Sequence, residues 1–253
     1  MEIGLSVEWI FSSFLLSLRL APVFAFAPPF SMTQVPVLFR SLFGVGLAAC
    51  MISTSPPSAL ISDLSLGSLV LSSVRELALG MIFVLALQMM FAALYVAGRT
   101  LDIQSGFGLA VVINPATGEQ DPLIGTLFAY AAAATFFAMN GHADLLRIVR
   151  ASLDAIPLGS GGFPTSIVRM TSFISTMFVV AFGVAGGAIL CLFLADLSIA
   201  MLSRTVPQMN VLILGLQVKT LLILLVLPAT LGFTGALLAR MVAITLQSIP
   251  ELL

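Results

Sequence analysis

At 253 residues the chain is long enough for one or two domains. It is 60% hydrophobic and only 8% charged, with a mean hydropathy of +1.17; soluble domains are about a quarter charged, so a soluble globular protein is excluded in favour of an integral membrane one. A net charge of −1 without any basic cluster argues equally against a nucleic-acid partner.

The first apolar segment runs from about Val7 to Phe26, with Trp9 near its start as an interfacial anchor. No positive charge precedes it, since Met1-Glu2 opens the chain and the first arginine is Arg19, so it is expected to be retained rather than cleaved. Arg19 and Pro22 interrupt the run, and a bend or break is expected there. After Pro28-Pro29, Pro36 and Arg40, the second segment starts at Ser41. Pro56-Pro57 should stop its helix after about 14 residues, too few to cross a hydrocarbon core of about 30 Å. The third segment, from about Leu69 to Gly98, carries Arg75-Glu76; the fourth, Leu123 to Met139, is alanine-rich and ends at Asn140-Gly141-His142.

Charge then concentrates between Asp144 and Arg169, where Asp144 and Arg147 are spaced to pair on one helix face. The run from Ile156-Pro157 through Gly162 to Pro164 is the best linker in the chain. Segment five covers Met170 to Ala195, and segment six about Val211 to Leu238, with Pro228 and Gly232 as expected bend points. Five or six spans result, several of them short or broken. Lysines and arginines are spread too evenly to orient the chain by the positive-inside rule. Gly183 and Gly187 form a GxxxG within segment five, which reads either as a close helix contact or as a flexible, kinked helix. Cys50 and Cys191 lie far apart in apolar segments and read as small buried hydrophobes.

The stretch between segments three and four, Arg99 to Pro122, departs from this pattern. Its three glycines, Asn114-Pro115 and Asp121-Pro122 punctuate it as a loop. Its middle is nevertheless apolar: Gly106, Phe107, Gly108, Leu109, Ala110, Val111, Val112 and Ile113, ending at Asn114. Burying each large side chain there is worth about 1.5–3 kcal/mol, which a solvated loop would forgo. The segment is therefore expected to fold back into protein, closing a passage.

Ionisable groups inside apolar segments need a partner or water. Asp196 and Lys219 lie equally far in sequence from the centre of the turn Arg204-Thr-Val-Pro207-Gln208-Met209-Asn210. In an antiparallel hairpin they stand at one height, about 17 Å from the tip, and should pair or face one polar interface. Arg75-Glu76, Arg99 and Asp102 read by default as helix-end charges, while Arg19 should contact either carbonyls at the Pro22 break or an acid elsewhere. The single histidine, His142, reads as a helix C-terminal cap rather than a proton relay. One histidine cannot furnish a zinc site, and no GxSxG elbow or P-loop is present; Gly106-x-Gly108 is only a fragment of a dinucleotide fingerprint. No catalytic residue, metal site or cofactor is expected.

Taken in order, the motifs resemble the R-type export-gate subunit of bacterial flagellar type III secretion, the flagellar biosynthetic protein FliR family, whose injectisome counterpart is the T-type subunit. The matching residues are Arg19-Leu-Ala-Pro22-Val-Phe24, Pro36 and Arg40; Glu76-x-x-x-Gly80, Ala97-Gly98 and Asp102-x-x-Ser-Gly106; and Asn114-Pro115, Pro122 and Asn140-Gly141-His142. Ser152-x-x-x-Ile-Pro157, Asp196, Arg204-x-x-Pro207-Gln208-Met209-Asn210-Val211, Gly215 and Lys219 complete the series. The family often has glycine where Asn140 stands. The resemblance implies an all-α membrane export-gate protein of broken helices and helical hairpins. A P-type-like part over residues 1–164 would be fused to a Q-type-like hairpin over 165–253, with helices raised out of the bilayer plane. It implies a non-enzymatic gating role, passing unfolded flagellar proteins across the inner membrane within the flagellar basal body. The implied partners are P-type and Q-type subunits and the B-type switch protein, with energy supplied by the proton motive force and another component's ATPase. Gly106 to Asn114 would be the plug, and Arg204 to Asn210 the cytoplasmic entrance. A small-solute transporter is the competing class, but no second copy of the 99–122 loop is present. An injectisome subunit and a purely structural subunit are the nearer alternatives.

Overall fold

A computed structural model describes residues 7–54, 66–107, 122–160, 167–206 and 210–253. Among these the regular structure is helical: α1 (Val7–Phe26), a short 3-10 turn (Phe30–Met32), α2 (Val37–Thr54), α3 (Leu66–Ser105), α4 (Leu123–Ala138), α5 (Gly141–Ala155), α6 (Ile167–Thr205) and α7 (Val211–Leu252). Five of these helices are long and apolar enough to cross a membrane, or six spans if α4 and α5 form one broken span. Helices suit this composition because each satisfies its backbone hydrogen bonds internally, as hydrocarbon demands.

Several boundaries differ from the sequence expectation, each for a local reason. Helix α1 is continuous through Pro22, without the break that was one expectation there, and α7 is likewise continuous through its expected bend points Pro228 and Gly232. A proline removes one i−4 hydrogen bond, while every other backbone group still needs its helical partner in an apolar setting. Helix α2 begins directly after Pro36, whose carbonyl accepts from the Phe39 and Arg40 N–H groups, and so reaches 18 residues, about 27 Å. Arg75 and Glu76 lie well inside the 40-residue α3 and are not helix-end charges, whereas Arg99 and Asp102 do fall in its last two turns. His142 occupies the first turn of α5 and not a helix C-terminus, because Asn140, at φ 58°, turns the chain out of α4 and into α5. Cys50 is exposed and Cys191 half-buried within this chain, so neither is a core hydrophobe of the isolated subunit.

Two compact units interleave along the sequence. The first takes Met1–Met89, Asn140–Phe173 and Ile244–Leu253; the second takes Met90–Met139 and Ile174–Ala243. In the first, α1 is the centre, with Leu15, Leu16, Leu20 and Val23 almost fully buried. Amphipathic α5 contributes Leu145, Val149 and Leu153 from one face, while Asp144 and Arg147 pair at 2.6 Å on its exposed side. In the second, Leu94, Leu101, Ile124, Phe128 and Phe136 are fully buried, as are Met177 and Val184 of α6.

Candidate functional site

The C-terminal end of α3 and the start of α4 hold the two roots of the glycine-rich loop. Pro122 precedes α4 and has no side-chain oxygen to cap it, leaving first-turn N–H groups to be satisfied from elsewhere. Buried Asp102 does this from α3: both of its carboxylate oxygens lie 3.2 Å from the Ile124 N–H. An anion at a helix N-terminus is further favoured by the helix dipole. One turn earlier on the same face of α3, Gly98 meets Gly125 of α4 so closely that a β-carbon on Gly98 would stand 2.2 Å from the Gly125 Cα. Only glycine fits there.

The other root is tied to α7. Thr220 Oγ1 shares its one hydrogen between the Ser105 carbonyl at 3.0 Å and the Leu216 carbonyl of its own helix at 2.9 Å, and Ser105 Oγ donates to the Asp102 carbonyl at 3.2 Å. Gly106 then leaves the helix at φ +93°, a conformation that disfavours side chains, and a β-carbon there would also press on Leu216 at 2.9 Å. Gly106 and Phe107 form the turn; Gly108 to Asn114, the rest of the expected plug, lie outside the described residues.

Helices α6 and α7 meet below the second sequence-predicted site. Lys219 Nζ stands 2.6 Å from Asp196 Oδ1, with Lys219 18% and Asp196 49% exposed in this chain. The hairpin tip follows: Arg204 is exposed in the last turn of α6, and Asn210 caps α7, its Oδ1 accepting from the Ile213 N–H at 3.4 Å. Pro207, Gln208 and Met209 lie outside the described residues. Gly183 and Gly187 both face outward. A β-carbon on Gly183 would first meet Leu237 at 4.0 Å, and one on Gly187 would meet nothing within 4 Å. Among the described residues the glycine pair thus makes no close backbone contact with another helix; Gly98 and Gly125 do.

A buried charge network in the first unit gives Arg19 an acid on another helix, one of the two contacts expected for it, while the identity of that acid is not legible in the sequence. Arg19 of α1 donates from Nε to Glu76 Oε2 of α3 at 2.7 Å, and both side chains are 0% exposed. Arg19 also donates to Ser152 Oγ of α5 at 2.9 Å and to the Ile156 carbonyl at 3.2 Å. The second carboxylate oxygen of Glu76 accepts from the Gly159 N–H at 2.9 Å. One turn from Glu76, Gly80 packs on the carbonyls of Leu18 and Arg19, where a β-carbon would come within 2.9 and 2.6 Å. Pro22 lacks the N–H that would otherwise bond the Leu18 carbonyl. Arg19 stands alone in its apolar segment and needs a partner there, but Glu76 has Arg75 beside it in sequence, so nothing local names Glu76 as that partner. Helix-end placement was the wrong default for Glu76.

The family model for bacterial export proteins, family 1, matches residues 10–244 of this chain. Flagellar biosynthetic protein FliR of Bacillus subtilis is 32% identical over 257 residues, covering 98% of this chain and 97% of that protein. The protein of the same name from Escherichia coli is 24% identical over 212 residues, 83% of this chain and 80% of its own length. Surface presentation of antigens protein SpaR of Shigella flexneri is 26% identical over 220 residues, with the same coverage of 83% and 80%.

Proposed function

The chain belongs to family 1 of the bacterial export proteins, and on that premise we propose how it serves the flagellar type III export gate. It is a multi-pass inner-membrane subunit of the type III secretion export apparatus, in protein transport for flagellum biogenesis. Its role there is structural and gating rather than enzymatic. Unfolded flagellar proteins pass through an assembly that it builds with P-type and Q-type subunits. Residues 1–164 act as the P-like part and 165–253 as the Q-like hairpin, whose tip, Arg204 to Asn210, faces the cytoplasmic entrance and the B-type switch protein.

The observation that carries the gating role is the tethering of both loop roots. Asp102 holds the start of α4, and Thr220 holds the end of α3 at Ser105, so the loop leaves and re-enters at fixed points. Between them lies an apolar segment flanked by glycine, which suits a closure that blocks ions by excluding water yet yields to a polypeptide. Deleting Gly106–Ile113 tests this in cells and in proteoliposomes containing the gate. The expected outcome is a raised ion leak with the complex still assembled. An assembled complex with unchanged leak would reduce the loop to packing.

An injectisome role is the second reading, since SpaR also aligns. The flagellar one is favoured by the higher identity and nearly complete coverage of the Bacillus subtilis protein. Complementation of a flagellar strain lacking its own R-type subunit separates the two: restored motility is expected, and rescue of effector secretion alone would reverse the assignment.

A further inference from the structure

Within the second unit, helix α7 meets two different neighbours along adjacent stripes of its surface. Gly215 and Lys219, one turn apart, face α6: a β-carbon on Gly215 would lie 3.7 Å from Ile199, and Lys219 Nζ pairs with Asp196 Oδ1 at 2.6 Å. Leu216 and Thr220 each come one residue later, turned by about 100°, and face the end of α3. Thr220 Oγ1 donates to the Ser105 carbonyl at 3.0 Å, and Leu216 covers Gly106, where a β-carbon would come within 2.9 Å of it.

The contacts continue to the second root of the loop. Ser105 Oγ donates to the Asp102 carbonyl, and the Asp102 carboxylate holds the Ile124 N–H of α4. One path of bonded or consecutive residues therefore runs from the α6–α7 ion pair to both ends of the glycine-rich loop.

The Thr220 contact is built to be released. Its hydroxyl also lies 2.9 Å from the Leu216 carbonyl, so on leaving Ser105 it keeps an acceptor in its own helix. A donor that always has an acceptor escapes the penalty of a buried, unmade bond. The tolerance is nevertheless small. A slip of α7 by one residue is about 1.5 Å, enough to carry a hydrogen bond well beyond its working range. The Asp196–Lys219 pair opposes such a slip, because each charge would lose its partner in an apolar setting.

We propose, on the reading that the loop closes the gate, that Thr220 and Leu216 are positioning residues that keep it shut, and that the Asp196–Lys219 pair sets them in place. The pair fixes α7 in register against α6, and α7 in turn fixes the first loop root. Displacing α7 along α6 frees the Ser105 carbonyl and uncovers Gly106, whose φ of +93° makes it the pivot. The hairpin ending at Arg204 to Asn210 thereby controls the loop without touching its apolar middle.

The test measures ion leak, and amide exchange at residues 105–107, on the gate assembled with P-type and Q-type subunits in proteoliposomes. Thr220→Val should raise the leak about threefold, the shift that one shared hydrogen bond provides, and Thr220→Ser should leave it native. Asp196→Leu with Lys219→Met strands neither charge; it should raise the leak to a similar extent and speed exchange at 105–107. All three changes together should do no more than the larger effect alone. Independent contributions would instead multiply to about ninefold and overturn the coupling. Deletion of Gly106–Ile113 separates the two levels. A leaking deletion with native leak and exchange in Thr220→Val overturns this proposal and leaves the gating reading standing, whereas a deletion that does not leak overturns both.

Discussion

Glu76 and Arg19 are each other's compensation at a site with no solvent, and removing either charge strands the other. Breaking such a buried pair costs about 3–5 kcal/mol, whereas replacing both partners by apolar residues of similar volume is close to neutral. Glu76→Gln should therefore lower the unfolding midpoint of the purified protein sharply, and Arg19→Met with Glu76→Leu should recover most of the loss. Equal destabilisation by the double variant would mean that the hydrogen bonds to Ser152, Ile156 and Gly159 matter more than the ion pair. Asp102 differs, acting as a helix cap supplied by a neighbouring helix. Asp102→Ala should cost about 0.5–2 kcal/mol, the range for caps, and should raise hydrogen exchange at the first turn of α4 before other regions. The half-exposed Asp196–Lys219 pair would be worth little in water. In an apolar setting each charge alone is expensive, so single neutralisations should impair assembly more than the double variant does.

At the scale of elements, α3 is fixed by two acid–glycine pairs, each separated by one helical turn and so sharing a face: Glu76 with Gly80 toward α1, and Gly98 with Asp102 toward α4. The glycine brings the backbones together and the carboxylate holds a polar group of the helix it meets. Gly98→Leu must push α4 away, since even a β-carbon would overlap Gly125. Its expected effect is a raised ion leak, by displacing one root of the loop while leaving the loop residues intact. An unchanged leak with folded protein would show that the root position does not govern closure. These features were only partly legible. The motifs around Gly80, Gly98 and Asp102 stand out in the sequence, but nothing local says which helix each one faces.

Across the whole molecule, α6 and α7 bury only about a third and a fifth of their most apolar stretches inside this chain. Exposed Leu190, Phe193, Leu221, Leu225 and Phe233 leave these helices with faces for lipid or for other subunits. At about 58 and 63 Å, each is also roughly twice the hydrocarbon thickness, so lipid alone cannot cover its full length. Purified alone, the chain should be polydisperse in detergent, and coexpression with P-type and Q-type subunits should gather it into one large complex by size-exclusion light scattering. A well-behaved monomer would favour the transporter class instead.

Composition by itself determined that the chain is an integral membrane protein, because 60% hydrophobic residues with 8% charge leave no soluble alternative, and the length of its apolar segments made it helical. The order of its motifs pointed to the export family, and the placement of Asp196 and Lys219 about the turn gave their shared height, since helical rise is fixed per residue. Tertiary structure decided what hydropathy cannot encode. Prolines 22 and 228 sit inside continuous helices because neighbouring backbone bonds outweigh one that is missing. Arg19 finds Glu76 across 57 residues of sequence, a choice that belongs to packing and not to local pattern. The close contact falls at Gly98 and Gly125 and not at Gly183 and Gly187, because small residues permit an approach but only a facing helix makes one.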